Sequence, residues 1–309
     1  MEDIGKEMGR LLESRHLNEK FDSLVSEVLA DEDVQQFIEE HRDRLTNEDI
    51  AKSYAKLYEF VQEKKKFQMK DATMLAPGYE PRLFLNYHFI DVTYVPTESL
   101  LARQREAEIR SRVQAMDMPK DIRDARLTQF ELTNERKEAY IAALDFIDAY
   151  QQDPKGYHKG LYLQGTFGVG KTYLLGAVAN ALAEKGFQST LMHFPTFAVE
   201  MKQAIGKDTM ADKLEAVKKA PILMLDDIGA DSMSSWIRDD VLGVILQFRM
   251  QEQLPTFFSS NFSMKQLEEE HLRLTQRGED EPLKAKRIME RIRYLSREIN
   301  MVGENRRNV

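Results

Sequence analysis

A glycine-rich stretch in the middle of the chain constrains the fold more strongly than any other feature. It fits the pattern G-x-x-x-x-G-K-[ST] at every fixed position. Its eight residues are Gly165, Thr166, Phe167, Gly168, Val169, Gly170, Lys171 and Thr172. A short apolar stretch precedes it and an Ala- and Leu-rich stretch follows, which predicts a strand, a loop and then a helix. In that setting the loop amides and the helix N-terminus bind the phosphates of a nucleoside triphosphate.

The fixed positions of this stretch each have a chemical reason. Gly168 and Gly170 let the backbone approach the phosphates with no side chain in between. The Lys171 ammonium can reach the β- and γ-phosphates, and the Thr172 hydroxyl can ligate Mg²⁺. The alternative for such a stretch is a glycine turn before a core helix. The flanking strand and helix patterns favour the nucleotide site, with ATP and Mg²⁺ as its cofactors.

Composition places the chain among globular proteins without membrane spans. Hydrophobic residues make up 42% and charged residues 31% of the 309 positions, and this length suggests about two domains. No apolar run of about 18 residues occurs, and the acidic N-terminal stretch is unlike a signal peptide. The sequence contains no Cys, so neither a disulfide nor a Cys-ligated zinc site is expected. These features predict a cytoplasmic protein with no membrane partner.

The charge of the chain is uneven. Residues 1–100 carry 13 Lys and Arg against 21 Asp and Glu, which accounts for the whole net charge of −8. An acidic region is a poor nucleic-acid binder, so a protein partner is expected for it. Periodicity there predicts three helices, the third capped by Thr46 or Asn47, and then a hairpin. The apolar positions of these elements fall within Phe21 to Leu29, Val34 to Ile38, Ile50 to Val61 and Leu83 to Tyr94.

The segment from Glu98 to Met116 is rich in charged residues, which predicts a solvated linker helix. Beyond it, apolar strands alternate with amphipathic helices, which predicts a parallel sheet with helices on both faces. The four expected strands begin at Gly160, Ser189, Pro221 and Pro255. The predicted organisation is an N-terminal α+β domain over residues 1–98, a linker helix over 99–118 and an α/β nucleotide-binding domain over 119–309.

Two carboxylates follow the third of these apolar strands. Asp226 and Asp227 stand at its C-terminal end, which is the edge where ligands bind in parallel sheets. We expect Asp226 to hold Mg²⁺ together with Thr172, and Asp227 to activate the attacking water. Neighbouring acids can exchange these roles. The alternative is a plain acidic turn after a core strand.

Further polar and basic side chains complete the candidate site. Asn261 ends the next strand at the same edge, where it either hydrogen-bonds the γ-phosphate or the attacking water, or caps a turn. Arg287 lies on a basic helix with Arg291 and Arg293, and it either supplies charge to the transition state or belongs to a solvated face. Arg306 offers another cation near the end of the chain.

Together these stretches resemble the AAA+ ATPases and, within them, the primosomal helicase loaders of the DnaI/DnaC type. The strong part of the resemblance covers residues 117–309, and the N-terminal region is similar down to the turn at Gly78–Pro81. The resemblance implies a P-loop NTPase parallel sheet flanked by helices, with a smaller and mostly helical α+β domain before it. The shared stretches are Gly165–Thr172, Leu223–Ala230, Leu254–Phe262, Arg287–Arg291 and Gly303–Arg307.

The resemblance also implies a role for each candidate residue. It makes Lys171 and Thr172 the Walker A pair, and Asp226 and Asp227 the Walker B pair. Asn261 corresponds to the sensor 1 position. Arg287 corresponds to the arginine finger, and Arg306 to sensor 2. Some loaders of this type carry a Cys-rich zinc site in the N-terminal domain. Because this chain has no Cys, we expect no zinc, and we expect apolar packing to hold the region from Phe67 to Tyr94.

The function implied by the resemblance is an ATP-dependent loader that delivers the replicative DNA helicase onto single-stranded DNA at initiation and restart of replication. The N-terminal domain would bind the helicase, and the ATPase domain would assemble with itself and contact single-stranded DNA. Other primosome proteins are further implied partners, and ATP hydrolysis is expected to be weak outside the assembly. Two alternatives stay open, namely a transposition helper ATPase of similar fold and a nucleotide-gated adaptor with negligible hydrolysis.

Overall fold

The computed structural model describes residues 23–116, 118–206, 209–230, 233–273 and 280–306. The chain divides into two compact units, residues 1–106 and residues 107–309. Phe21, the first apolar position of the predicted opening helix, lies outside the described residues. Among the residues that are described, no helix is long and apolar enough to span a membrane.

The first unit is a set of helices followed by an antiparallel hairpin. Asp31 caps the second helix by accepting hydrogen bonds from the backbone amides of Asp33 and Val34. Thr46 caps the third helix in a reciprocal capping box with Asp49. Of the two predicted caps, Thr46 and Asn47, the first is confirmed. The elements are α1 (residues 23–29), α2 (Glu32–Glu40), α3 (Asn47–Lys52), α4 (Tyr54–Met69), β1 (Tyr79–Asn86) and β2 (Phe89–Pro96).

The single helix expected over Ile50 to Val61 is wrong, because the chain breaks at Ser53 into α3 and α4. The Ser53 hydroxyl donates to the Asp49 carbonyl (2.8 Å) and accepts from the Ile90 amide (2.9 Å). A serine that hydrogen-bonds the backbone in this way competes with the helical ladder. The same side chain therefore ends one helix and anchors the hairpin.

Apolar packing holds the hairpin onto the helices of the first unit. Ile90 of β2 is fully buried with Leu57, Phe60 and Val61 of α4, and Val34 of α2 belongs to the same cluster. Alternate hairpin residues face this cluster, as the period of a strand requires. The predicted hairpin is confirmed, with its two strands paired from Tyr79 opposite Pro96 to Asn86 opposite Phe89.

The second unit is built on a six-stranded sheet in which every pairing is parallel. The strand order is β3-β5-β6-β7-β4-β8. The strands are β3 (Val113–Met116), β4 (Gly160–Gln164), β5 (Ser189–His193), β6 (Ile222–Asp226), β7 (Thr256–Ser260) and β8 (Ser296–Asn300). The four central strands are those predicted from sequence, and the predicted α/β class, a parallel sheet flanked by helices, is confirmed.

Helices cover both faces of this sheet. Ile222 and Met224 of β6 face the cluster that contains α7 and α8, whereas Leu223 and Leu225 face the cluster that contains α11 and α13. The helices are α5 (Glu98–Ser111), which spans the boundary between the units, α6 (Lys120–Arg123), α7 (Lys137–Gln152), α8 (Lys171–Glu184), α9 (Phe194–Gln203), α10 (Thr209–Lys218), α11 (Gly243–Gln251), α12 (Met264–Gln266) and α13 (Pro282–Leu295). A 3₁₀ turn (Leu127–Gln129) and two π-helical turns (Ile237–Leu242 and Leu267–Leu272) complete the unit.

Neither edge strand of the sheet, β3 or β8, is predicted from the sequence. The charged helix expected to continue to Met116 ends at Ser111, and Val113–Met116 pairs with Ser189–Met192 instead. No residue of α5 is buried, whereas Val113 and Ala115 pack against a core cluster. Sheet pairing and partial burial thus stabilise β3 over another helical turn.

A buried arginine joins the N-terminal ends of two central strands, β6 and β7. Arg249 of α11 is fully buried. Its guanidinium donates to the carbonyls of Lys218 (3.1 Å), Ala220 (2.6 Å) and Pro255 (2.7 Å) and to the Thr256 hydroxyl (2.8 Å). Burial lowers the pKa of Arg249 to about 9, which still leaves the side chain charged at neutral pH.

We predict that Arg249→Met lowers the free energy of unfolding of the second unit by about 3 kcal/mol, because buried acceptors lose their donor. Trp236, the chain's single tryptophan, reports the unfolding of this unit in urea. Arg297→Met, on the exposed part of β8, is the matched control and should change the midpoint little. Equal midpoints for the two variants would contradict the role of Arg249.

Candidate nucleotide site

The phosphate-binding loop lies between β4 and α8, as its sequence setting predicts. Gly168 and Gly170 have φ angles of +79° and +97°, a region that favours glycine. A Cβ atom on Gly168 would lie 1.9 Å from Asn305 Oδ1, and one on Gly170 would lie 2.3 Å from Arg136 Nη2. Both glycines are therefore required by backbone conformation and by close neighbours from distant parts of the chain.

The Lys171 ammonium lies within the loop and is largely buried. It donates to the carbonyls of Gly165 (2.8 Å) and Thr166 (3.0 Å) and to Asn261 Oδ1 (2.9 Å). Because Asn261 follows β7 and Lys171 starts α8, this contact joins two of the predicted site residues across the sheet edge. The ammonium is held where an anion in the loop would meet it.

The Asp226 carboxylate is the centre of a buried hydrogen-bonded group. Its Oδ1 accepts from the Thr172 hydroxyl (2.8 Å) and the Ser259 hydroxyl (2.5 Å). Burial raises the pKa of Asp226, and the hydrogen bonds from Ser259 and Thr172 oppose that rise. Removing the carboxylate from water is costly, so a bound cation would stabilise its charged form.

Asp227 follows in a strained conformation that points its side chain into the same region. Its φ angle is +61°, which is uncommon for a residue other than glycine. Its amide donates to Ser259 Oγ (2.9 Å), and its Oδ1 accepts from Asn261 Nδ2 (3.1 Å). His193 Nε2 lies 3.9 Å from its Oδ2. Strain that surrounding contacts maintain is typical of functional sites.

Sequence reasoning missed Ser259, His193 and Arg136. His193 is the last residue of β5, and Ser259 lies near the end of β7. The rule that located Asp226, that parallel strands bring their carboxyl ends to one edge, applies to these two residues as well. No comparable pattern identifies Arg136, because its position depends on how the start of α7 packs against the loop.

The two arginines implied by the resemblance lie in different places. Arg306 lines the same cavity of about 630 Å³ as Lys171 and Asp226. Its backbone amide donates to the Gly168 carbonyl (3.0 Å), and its guanidinium pairs with the Glu131 carboxylate. Arg287 is exposed on α13 and lines a separate groove. The structure brings together all of the predicted site residues except Arg287.

The donor set around Asp226 fits Mg²⁺. Within the described ranges no three His, Cys, Asp or Glu side chains cluster as a self-sufficient metal site. Mg²⁺ typically takes one or two protein oxygens and completes its shell with phosphate and water oxygens. The Thr172 hydroxyl and the Asp226 carboxylate, 2.8 Å apart at the N-terminus of α8, provide such a pair.

Comparison with known families divides the chain in two. Residues 1–94 match the family model described as the primosomal protein DnaI N-terminus. Residues 86–308 match the family model of the IstB-like ATP binding protein. The second match covers most of the chain and contains every residue of the candidate site.

Individual relatives agree with these families. The replicative helicase loader DnaI of Bacillus subtilis (strain 168) is 40% identical, and the alignment covers 100% of each chain. The crystal structure of a DnaI covers 65% of this chain and 100% of its own, with 46% identity and a TM-score of 0.56. A putative primosome component from Streptococcus pyogenes serotype M3 covers 65% and 99%, with 45% identity and a TM-score of 0.54.

The position of Ser259 between the two aspartates generates a prediction. Ser259→Ala removes a donor to Asp226 and leaves the Asp227 amide without its acceptor. We expect ATP hydrolysis, followed as phosphate release, to fall by about tenfold or more, while ATP affinity changes by less than about threefold. Ser260→Ala is the matched control, because the Ser260 hydroxyl donates to the Ile228 carbonyl and accepts from the Phe262 amide, with no hydrogen bond to either aspartate. An equal loss of ATP hydrolysis in both variants would contradict this role of Ser259.

Proposed function

The chain belongs to the DnaI family of replicative helicase loaders, and on that premise we propose that it delivers the replicative DNA helicase onto single-stranded DNA in an ATP-dependent step. It is a helicase loader whose second unit has the AAA+ fold of an ATP-binding protein. The step would serve the initiation and restart of chromosome replication, in the cytoplasm.

One observation carries the nucleotide part of this proposal. Three elements meet at one sheet edge through two hydrogen bonds: Lys171 at the start of α8 bonds Asn261 after β7 (2.9 Å), and the neighbouring Thr172 bonds Asp226 at the end of β6 (2.8 Å). We infer that the loop binds the phosphates of ATP and that Thr172 and Asp226 hold Mg²⁺. When bound, the metal would neutralise charge on the phosphate oxygens.

ATP hydrolysis is proposed to depend on Asp227, Asn261, Arg306 and Arg287. Asp227 would orient the attacking water, and Asn261, hydrogen-bonded to both Lys171 and Asp227, would align it with the γ-phosphate. Arg306 would act from the same chain, since it lines the same cavity.

Arg287 is proposed to act on the site of a neighbouring subunit. It is exposed, lies outside the nucleotide cavity and forms no hydrogen bond or ion pair with another residue that the structure describes. By contrast, Arg291 on the same helix donates to the Gly243 carbonyl (2.7 Å), and Arg293 pairs with Glu268 (2.6 Å). An arginine with no role in its own chain's site suits a contact made on assembly, so hydrolysis would be weak until the subunits associate.

The first unit is proposed to bind the helicase. Its family match to the DnaI N-terminus and its acidic composition both favour a protein partner over nucleic acid. Single-stranded DNA would then bind the second unit at α9, which starts directly after His193 at the sheet edge that carries the nucleotide site. Further primosome proteins would join this assembly.

The two alternative functions are less well supported. A transposition helper ATPase would account for the IstB-like match over residues 86–308, but it gives no reason for the DnaI-type N-terminus over residues 1–94. A nucleotide-gated adaptor that does not turn over ATP would not need Asp227 held by Ser259 and Asn261. Phosphate release by the assembled chain decides between the adaptor and the loader.

Two variants test the proposed catalytic assembly. We expect Lys171→Ala to abolish ATP binding, because the loop loses its phosphate-facing cation, and Arg287→Ala to keep binding but lose stimulated hydrolysis. Mixing the two inactive variants should restore part of the hydrolysis, since a Lys171→Ala subunit still offers Arg287 to its neighbour's intact loop. No recovery on mixing, measured with helicase and single-stranded DNA present, would remove the in-trans role.

The helicase contact is tested by dividing the chain at its unit boundary. We expect residues 1–106 to co-purify with the replicative helicase of the same organism, and residues 107–309 to bind it at least about tenfold more weakly. Full-length Arg287→Ala is the control, since that residue lies outside the first unit and should leave the helicase affinity unchanged. Retention of the helicase by residues 107–309 alone would assign the contact to the other unit.

A further inference from the structure

Arg136 is a buried cation beside the phosphate-binding loop. It occupies the N-cap position of α7 and is only 3% exposed. Its Nη1 donates to the Glu131 carbonyl (2.7 Å), and its guanidinium carbon lies 3.9 Å from the centre of the Phe130 ring. Its Nε is buried with no hydrogen-bond partner in the described structure.

The surroundings of Arg136 do not compensate its charge. Burial lowers the pKa of the guanidinium, and the N-terminus of α7 adds positive potential. The carboxylates that line the cavity are Asp121, Glu131, Asp226 and Asp227, and within the described residues none of them forms an ion pair with Arg136. Such a cation costs stability unless an anion comes near.

The loop is where that anion would come. Arg136 lines the same cavity as Lys171 and Thr172. The 2.3 Å separation between Arg136 Nη2 and the site of a Cβ on Gly170 means that the guanidinium packs directly against the loop backbone. An anion bound by the loop amides would therefore lie close to this charge.

We propose that Arg136 is a positioning residue for nucleotide polyphosphate. It packs against Gly170 at the end of the loop, and its buried charge is compensated when the phosphates bind. This inference rests on the proposed nucleotide site. It predicts that the side chain destabilises the empty protein and stabilises the nucleotide complex, with a larger effect on a triphosphate than on a diphosphate.

Arg136→Met tests this because methionine keeps much of the volume and can still pack on Phe130 while removing the charge. In full-length protein titrated with ATP and ADP in the presence of Mg²⁺, we expect ATP affinity to fall by about tenfold and ADP affinity by about threefold. The melting temperature of the nucleotide-free variant should stay the same or rise. Arg136→Lys, which restores the charge, should recover most of the ATP affinity.

Arg126→Met is the matched control. Arg126 precedes the 3₁₀ turn Leu127–Gln129 and is half-exposed, and its Nε lies 3.8 Å from the Glu184 carboxylate outside the cavity lining. It should leave both affinities unchanged. A lower melting temperature in Arg136→Met with equal losses for ATP and ADP would overturn the proposal in favour of a purely structural role. Unchanged ATP affinity would overturn it too, whereas failure of the unaltered chain to bind ATP would refute the nucleotide site itself.

Discussion

The hydrogen-bonded group around the Asp226 carboxylate is the interaction on which the nucleotide site depends. One oxygen of that carboxylate accepts from Thr172 at the start of α8 and from Ser259 in β7. Since Asp226 itself ends β6, this oxygen joins three elements. Ser259 in turn holds the amide of Asp227 in its left-handed conformation. Because the carboxylate is buried, the contacts that fix this geometry also create a place where a cation lowers the free energy.

The order of the strands explains why residues so distant in sequence meet there. β5, β6, β7 and β4 are consecutive neighbours and all run in the same direction, so the chain leaves each of them at one edge. That edge receives His193, Asp226, Ser259 and the loop after Gln164 in turn. A parallel sheet therefore assembles a site from strand ends, and the helices between the strands need only cover the faces.

This arrangement also explains what the sequence could and could not predict. The four central strands are covered on both faces, so their apolar runs identify them, and the carboxyl-edge rule then locates Asp226 and Asn261. β3 and β8 lie at the edges and carry mixed residues such as Gln114 and Arg297, so composition does not distinguish them from a charged helix or a loop. Their formation depends on pairing with a neighbour, which is a non-local interaction. The break at Ser53 likewise depends on the distant amide of Ile90.

Arginine residues show the same limit most clearly, because their surroundings decide what the charge does. Arg249 is buried among three carbonyls and a hydroxyl, so its charge is satisfied within the fold and joins α11 to the strands. Arg136 is also only 3% exposed, but it lines the nucleotide cavity and has one carbonyl and an aromatic ring as partners, so we propose that a bound anion compensates its charge. Arg287 is exposed and has no partner among the described residues. A buried cation whose hydrogen-bond acceptors belong to the fold stabilises the folded protein. A buried cation that lacks acceptors beside an anion-binding loop destabilises the empty protein and stabilises the complex with the anion. The difference between Arg249 and Arg136 is thus the difference between a structural and a ligand-dependent charge, and it follows from the acceptors around each guanidinium rather than from its solvent exposure.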